Sequence, residues 1–72
     1  MVKAVVLVKS PKKLIAARLR MAKSVYDSFP VSGQFDAVAL IEVKSLSQIK
    51  DVTSEIQNIK GVERTETMVQ VI

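Results

Sequence analysis

The stretch Val31-Ser32-Gly33-Gln34-Phe35-Asp36-Ala37-Val38-Ala39-Leu40-Ile41-Glu42-Val43 decides how the chain is read. Apolar-rich runs flank Gly33, a pattern that predicts a β-hairpin whose tip takes a backbone conformation glycine tolerates best. Asp36 is then held near the mouth of the turn, where a carboxylate can pair with a cation or accept hydrogen bonds. Ala37 to Val43 carries apolar residues on both alternating faces, which predicts a strand covered on two sides, inside a sheet. Before the turn, Val25, Asp27, Phe29 and Val31 alternate with Tyr26, Ser28 and Pro30. The proline lacks a ladder donor, so Val25 to Val31 is expected at a sheet edge.

Val2 to Val8 is likewise apolar on both faces and predicts a second central strand. Ser10-Pro11 then reads as a helix start, with serine as N-cap and proline at the first helical position. Leu14, Ala17 and Met21, with Ile15, Leu19 and Ala22 beside them, repeat at helical spacing and leave Lys12, Lys13, Arg20 and Lys23 outside, the helix fading near Lys23. Further on, Ser45-Leu46-Ser47-Gln48 fits a capping box, with Ser47 as an alternative cap. Ile49, Val52, Ile56 and Ile59 follow as an amphipathic stripe, and Gly61 is the expected left-handed stop. From Arg64 to Ile72, Thr65, Thr67, Val69 and Val71 alternate with Arg64, Glu66, Met68 and Gln70, a last strand.

The order is thus β-α-β-β-α-β. Right-handed crossovers and adjacent hairpin strands convert it into an α+β, ferredoxin-like fold: a four-stranded antiparallel sheet with both helices on one face. The first and third strands are then central and the second and fourth lie at the edges, where Pro30 falls. Two helices cover one face only, yet Val5 and Leu7 point one way along the first strand while Val6 and Val8 point the other. An open face so apolar is the kind monomers avoid, and it predicts sheet-on-sheet packing against a second copy in a two-fold dimer of the dimeric α+β barrel type.

Composition narrows the chemistry. The 72 residues make a single domain, with no linker, repeat array or low-complexity tract. A chain this short buries only about 60% of its unfolded surface, and small domains add disulfides, metals or partner subunits. Cysteine and histidine are both absent, which removes disulfides, thiolate or imidazole metal sites and any Cys–His or Ser–His pair. Self-association remains. No apolar run approaches the roughly 20 residues that span a bilayer, and no signal-peptide plan opens the chain, so the expectation is a cytoplasmic protein with no membrane partner and no cofactor.

The net charge is +4, with Lys9, Lys12, Lys13, Arg18, Arg20 and Lys23 in one stretch. Such a stripe can contact phosphates, but no recognition motif accompanies it, and it reads as the solvated side of a helix with no direct nucleic-acid partner. An RNA-binding sheet of this topology needs aromatics on its central strands, where Val5, Leu7, Val38 and Leu40 stand. Asp51 and Glu55, one helical turn apart, lack a third ligand and are read as solvated. No glycine-rich phosphate loop exists, and Ser–Lys chemistry through Lys44 or Lys50 has no supporting spacing. The chain is read as a non-enzyme; a cavity enzyme of the dimeric ferredoxin-like type is the alternative, with Glu42, Asp27 or Tyr26 as its ionisable candidates, and a purely structural assembly unit is a third reading. Glu42, within a central strand, is expected half-buried or paired with a partner's basic residue.

Val31-Ser32-Gly33-Gln34-Phe35-Asp36-Ala37 resembles the V-[ST]-G-x-x-D-[YA] hairpin of the effector-binding (RAM) domain of the Lrp/AsnC family of transcriptional regulators. Val25 and Asp27 resemble the preceding strand, and Ile59-Lys60-Gly61-Val62-Glu63-Arg64-Thr65-Glu66-Thr67 resembles the family's I-x-G-V-x-x-T-x-T ending. The likeness covers essentially the whole chain, residues 1–72, and leaves out the helix-turn-helix of full-length members, so it is similar to the stand-alone form of the domain. It implies an oligomeric small-molecule sensor: dimers through the sheets, rings such as octamers, an amino-acid effector between dimers, and mixing with full-length regulators. By position, Gly33 then lets the turn's backbone approach the ligand, Asp36 meets its ammonium group, Thr65 and Thr67 line the cleft from the facing strand, and Ser32 and Phe35 shape the loop. Without a ligand the same residues are a turn glycine, an exposed strand start and good β-formers.

Overall fold

A computed structural model describes residues 1–71. Its elements run β1 (Val2–Lys9), α1 (Ala16–Leu19), β2 (Val25–Pro30), β3 (Ala37–Val43), α2 (Ser47–Gln57) and β4 (Arg64–Val69). They form one four-stranded sheet in the order β2-β3-β1-β4, antiparallel throughout. The two strands expected at the centre are there, and Pro30 ends an edge strand. That edge is also irregular, with a register shift between Val25 and Asp27. The last strand ends at Val69, and Ile72 lies outside the described residues.

The alternation along β1 sorts its side chains between two environments. Ala4, Val6 and Val8 point at the helices and are buried, as are Ala39, Ile41 and Val43. Against them pack Ile15, Leu19 and Ala22 from one crossover and Ile49, Val52, Ile56 and Ile59 from the other. Every member of the second stripe read from the sequence is therefore in the core. At roughly 25 cal/mol per Å² of apolar surface removed from water, this layer is the main stabilising term. Ser28, fully buried on β2, is accommodated because its hydroxyl donates to the Val38 carbonyl at 2.8 Å.

The first helix is much shorter than its periodicity predicts. Ser10 does not cap it: its N–H donates to Asp36 Oδ2 at 2.8 Å and its hydroxyl to the Lys13 carbonyl at 3.3 Å, so Ser10 through Lys13 forms a turn. Helical residues begin only at Ala16. After Leu19 the bonds tighten to i→i−3, Met21 to Arg18 and Ala22 to Leu19, and Ser24 at φ +75° turns the chain out of helix. Of the two helical sets, Ile15, Leu19 and Ala22 are the buried one, while Leu14 and Met21 are 96% and 77% exposed. A turn docked on the strand end through Asp36 stands where the first turns of the expected helix would be.

The second crossover follows the sequence more closely. Half of the capping box forms: Gln48 Oε1 accepts the Lys44 and Ser45 N–H groups at 2.8 and 3.1 Å, while no side chain caps the helix at Leu46. The Ser45 hydroxyl meets Ser47 instead, at 3.0 Å. Helical residues stop at Gln57, and a turn through Ile59 leads to Gly61, left-handed as expected at φ +101°. Gly61 also has a packing role the sequence did not reveal. A Cβ there lies 3.0 Å from Lys13 Cδ and 3.5 Å from Ser10 Oγ, so the turns after β1 and after α2 touch at this residue. Gly61→Ala is expected to lower stability to urea by about 1–3 kcal/mol, from left-handed strain and crowding together; adding Lys13→Ala relieves the crowding and restores only part of the loss.

Candidate functional site

Ala37 stands opposite Val8 on one side of β1, and Thr65 stands opposite Val8 on the other. This row crosses three strands at one end of the sheet, and with neighbouring strands about 4.8 Å apart it brings the starts of β3 and β4 within about 10 Å. The loop between β2 and β3 folds over that end. Val31 N–H donates to the Asp36 carbonyl at 3.0 Å, and Asp36 N–H donates to the Val8 carbonyl at 2.9 Å.

The Asp36 carboxylate reaches past the end of β1. Oδ2 accepts the N–H of Ser10 at 2.8 Å, a charge-assisted bond to a residue only 2% exposed. Lys9 Nζ is 3.9 Å from the same oxygen, with both side chains a third exposed. Phe35, half-buried, lies against the Arg64 guanidinium, whose Cζ is 5.1 Å from the ring centre. This cation–π contact ties the loop to the start of β4.

Ser32 and Gly33 are exposed at the tip. Gly33 has φ +122°, and a Cβ there meets no atom of the chain within 4 Å. The backbone is open to approach from outside. Thr65 is half-buried on the helix side of β4 and accepts from Gln57 Nε2 at 2.9 Å. Thr67 lies one row further in, opposite Val6, on the same side and exposed. Ser32, Gly33, Phe35 and Asp36 are thus gathered on the loop, Thr65 shares their end of the sheet, and Thr67 is set back from it.

Two depressions open at this end. A cleft of about 500 Å³ runs between the segment Ser10 to Ala17 and the end of β2, lined also by Pro30, Val31 and Asp36. The second, about 470 Å³, lies beside Gln57, Asn58 and Thr65. Asp36 and Thr65 therefore open into different depressions of one chain. Sequence reasoning missed Ser10, Lys9, Arg64 and Gln57 as partners of the candidate residues, and the clefted segment 11–17. Ser10-Pro11 carries a strong local helix-start signal, and nothing local marks its contact with Asp36.

The open face of the sheet presents Val5, Leu7, Leu40 and Glu42 half-buried, with Tyr26, Phe29 and Met68 56%, 40% and 51% exposed. A shallow trough of about 320 Å³ crosses it between Lys3, Val5, Tyr26, Leu40 and Met68. Glu42 faces Lys3 across the β1–β3 pair, and Lys3 Nζ is 6.0 Å from the Tyr26 ring centre. Asp27 pairs with Arg20 at 3.5 Å and accepts the Ser28 N–H at 2.8 Å. Among the described residues no group of three or more acids lies where it can hold a metal ion, and no helix is long and apolar enough to cross a membrane.

The family model of the Lrp/AsnC ligand binding domain matches residues 3–71. A protein of Thermus thermophilus is 32% identical, superposes with a TM-score of 0.83 and is covered over 95% of its chain by 100% of this one. The leucine response regulatory protein of Mycobacterium tuberculosis is 25% identical at a TM-score of 0.83; 99% of this chain covers 51% of that one. A transcriptional regulator of Neisseria meningitidis, solved as a complex with L-Met, shares the fold at 17% identity and a TM-score of 0.81, with 99% of this chain covering 50% of it. The chain thus spans about half the length of these two regulators. No curated protein matches the sequence.

Asp36 is expected to matter to folding whatever it binds. Asp36→Ala leaves the buried Ser10 N–H without its acceptor, at a cost of about 1–3 kcal/mol in urea unfolding. Asp36→Asn keeps an acceptor and is expected to lose less.

Proposed function

The chain belongs to the Lrp/AsnC ligand-binding domain family, and from that premise we propose that it is an oligomeric amino-acid effector module whose ligand sits at the hairpin end of the sheet. The observation that carries this reading is Gly33: a left-handed glycine with empty space beside it, on a loop fixed to the sheet through Asp36 and Phe35. A turn backbone that is both anchored and approachable offers N–H groups to a ligand carboxylate. Asp36, with Oδ2 engaged by Ser10, offers its other oxygen to an ammonium group. Ser32 and Phe35 shape the loop, and Thr65 lines the neighbouring depression with Thr67 one row behind it. The Neisseria meningitidis regulator, solved with L-Met, supports an amino acid as the ligand type.

Assembly is part of the proposal. The open face carries Val5, Leu7, Leu40 and Met68 with Tyr26 and Phe29 around them, a contiguous apolar patch of the kind that marks a contact surface. It packs on the same face of a second copy, and dimers join into a ring such as an octamer whose seams complete the ligand clefts. The module acts together with other regulators of the same family by assembling with them. Binding is better supported than catalysis, since Tyr26 is exposed and Asp27 is held by Arg20.

Two measurements test this reading. In sedimentation at micromolar concentration the chain is expected to run as a dimer or larger, and the Val5→Lys, Leu40→Lys double variant as a folded monomer; a monomeric parent chain overturns the assembly. In calorimetric titration with the twenty amino acids at least one is expected to bind. Gly33→Ala, which adds a methyl group where the chain has no atom to meet it and strains the turn at φ +122°, is expected to weaken that binding about tenfold, or 1.4 kcal/mol. No heat with any of the twenty overturns the effector reading.

A further inference from the structure

The open face of the sheet carries a charge pattern as well as an apolar patch. Along the two central strands its residues stand in directly opposed pairs: Lys3 with Glu42, Val5 with Leu40, and Leu7 with Val38. One end of the patch is thus ionic and the rest aliphatic. Asp27 pairs with Arg20 at 3.5 Å and Lys9 with Asp36 at 3.9 Å, but among the described residues neither Lys3 nor Glu42 forms an ion pair. Lys3 Nζ lies instead 6.0 Å from the centre of the Tyr26 ring.

Covering this face with a second copy decides what each charge meets. Two identical sheets packed face to face in the aligned class have a two-fold axis either across the central strands or along them. An axis across the strands, through the Val5–Leu40 pair, brings Lys3 over the partner's Leu7 and Glu42 over the partner's Val38. Both charges then leave water for aliphatic side chains, a cost that nothing offsets. An axis along the strands, between β1 and β3, lays every residue over its own ladder partner. Val5 meets the partner's Leu40, Leu7 the partner's Val38, and Lys3 the partner's Glu42. Four charges then alternate in sign around the axis. The same axis lays Met68, on edge strand β4, over the β2 edge of the other copy, where Tyr26 stands; the two side chains are 51% and 56% exposed in the single chain.

We propose that the open face recognises a second copy of this chain through two reciprocal Lys3–Glu42 ion pairs, set about a two-fold axis that runs along β1 and β3. The inference rests on the assembly reading and adds to it the residues that choose the partner. Apolar contact supplies the attraction, and it is indifferent to which sheet of this kind lies opposite. The opposed charges are not: a sheet that brings a like charge or an aliphatic residue to either position is penalised. A related chain therefore mixes with this one only if it places an anion over Lys3 and a cation over Glu42.

The test is a charge exchange read by sedimentation of the full chain across a concentration series. Lys3→Glu and Glu42→Lys each set like charges over one another twice in a homodimer, and each is expected to weaken self-association about tenfold or more. In an equimolar mixture of the two variants every charge again meets its opposite across the seam. That mixture is expected to associate within about threefold of the parent chain. A mixture no tighter than the separate variants overturns the inference and leaves the assembly reading standing, since an axis across the strands, or a pair confined to one chain, gives that result. Either variant associating like the parent overturns it as well. If circular dichroism shows a charge-reversed chain to be unfolded, Lys3→Gln and Glu42→Gln take the place of the pair. Each is then expected to weaken association about threefold or more, and unchanged association overturns the inference. A parent chain that sediments as a monomer overturns both the inference and the assembly reading.

Discussion

β1 is bonded on both sides, to β3 over Val2 to Val8 and to β4 over Ala4 to Lys9. A strand so placed cannot slip by one residue without sending Ala4, Val6 and Val8 from the core to the open face. The registers on either side are therefore locked together, and with them the row Ala37, Val8, Thr65. Everything gathered at the hairpin end depends on that lock. The Val8 carbonyl takes the Asp36 N–H, and the next turn of chain presents Ser10 to the Asp36 carboxylate.

The same end explains the short first helix. Where a helix from Ser10 would begin, the Ser10 hydroxyl donates to the Lys13 carbonyl and closes a turn, while the Ser10 N–H holds Asp36. The chain gives up early helical hydrogen bonds and gains an anchored strand end. Leu14 stands exposed beside the cleft, while Ile15 and Leu19 are buried against the sheet.

The molecule has two surfaces of different character. The open sheet face is broad, apolar and without a covering layer, as suits a self-complementary contact. The hairpin end is narrow, mixed in polarity and built from residues far apart in sequence, as suits a small ligand. Membership of the Lrp/AsnC ligand-binding domain family is consistent with both. The polar contacts Asp36–Ser10 and Thr65–Gln57, with Phe35 on Arg64, hold the second surface to the sheet.

Element order, the edge position of the proline strand, the buried stripe of α2 and the left-handed glycines were legible in the chain, because each rests on periodicity or on a backbone preference confined to a few neighbouring residues. The turn that carries Ser32, Gly33, Phe35 and Asp36 was legible for the same reason, as one contiguous stretch between two apolar runs. Which of the two helical sets around Leu14 and Ile15 faces inward was not, since both satisfy the same spacing and only the fit against Ala4, Val6 and Val8 separates them. Nor was the pairing of Ser10 with Asp36 or the setting back of Thr67. Those depend on strand register and on how a crossover of fixed length lands on the sheet, and such long-range geometry has no signature in any short stretch of residues.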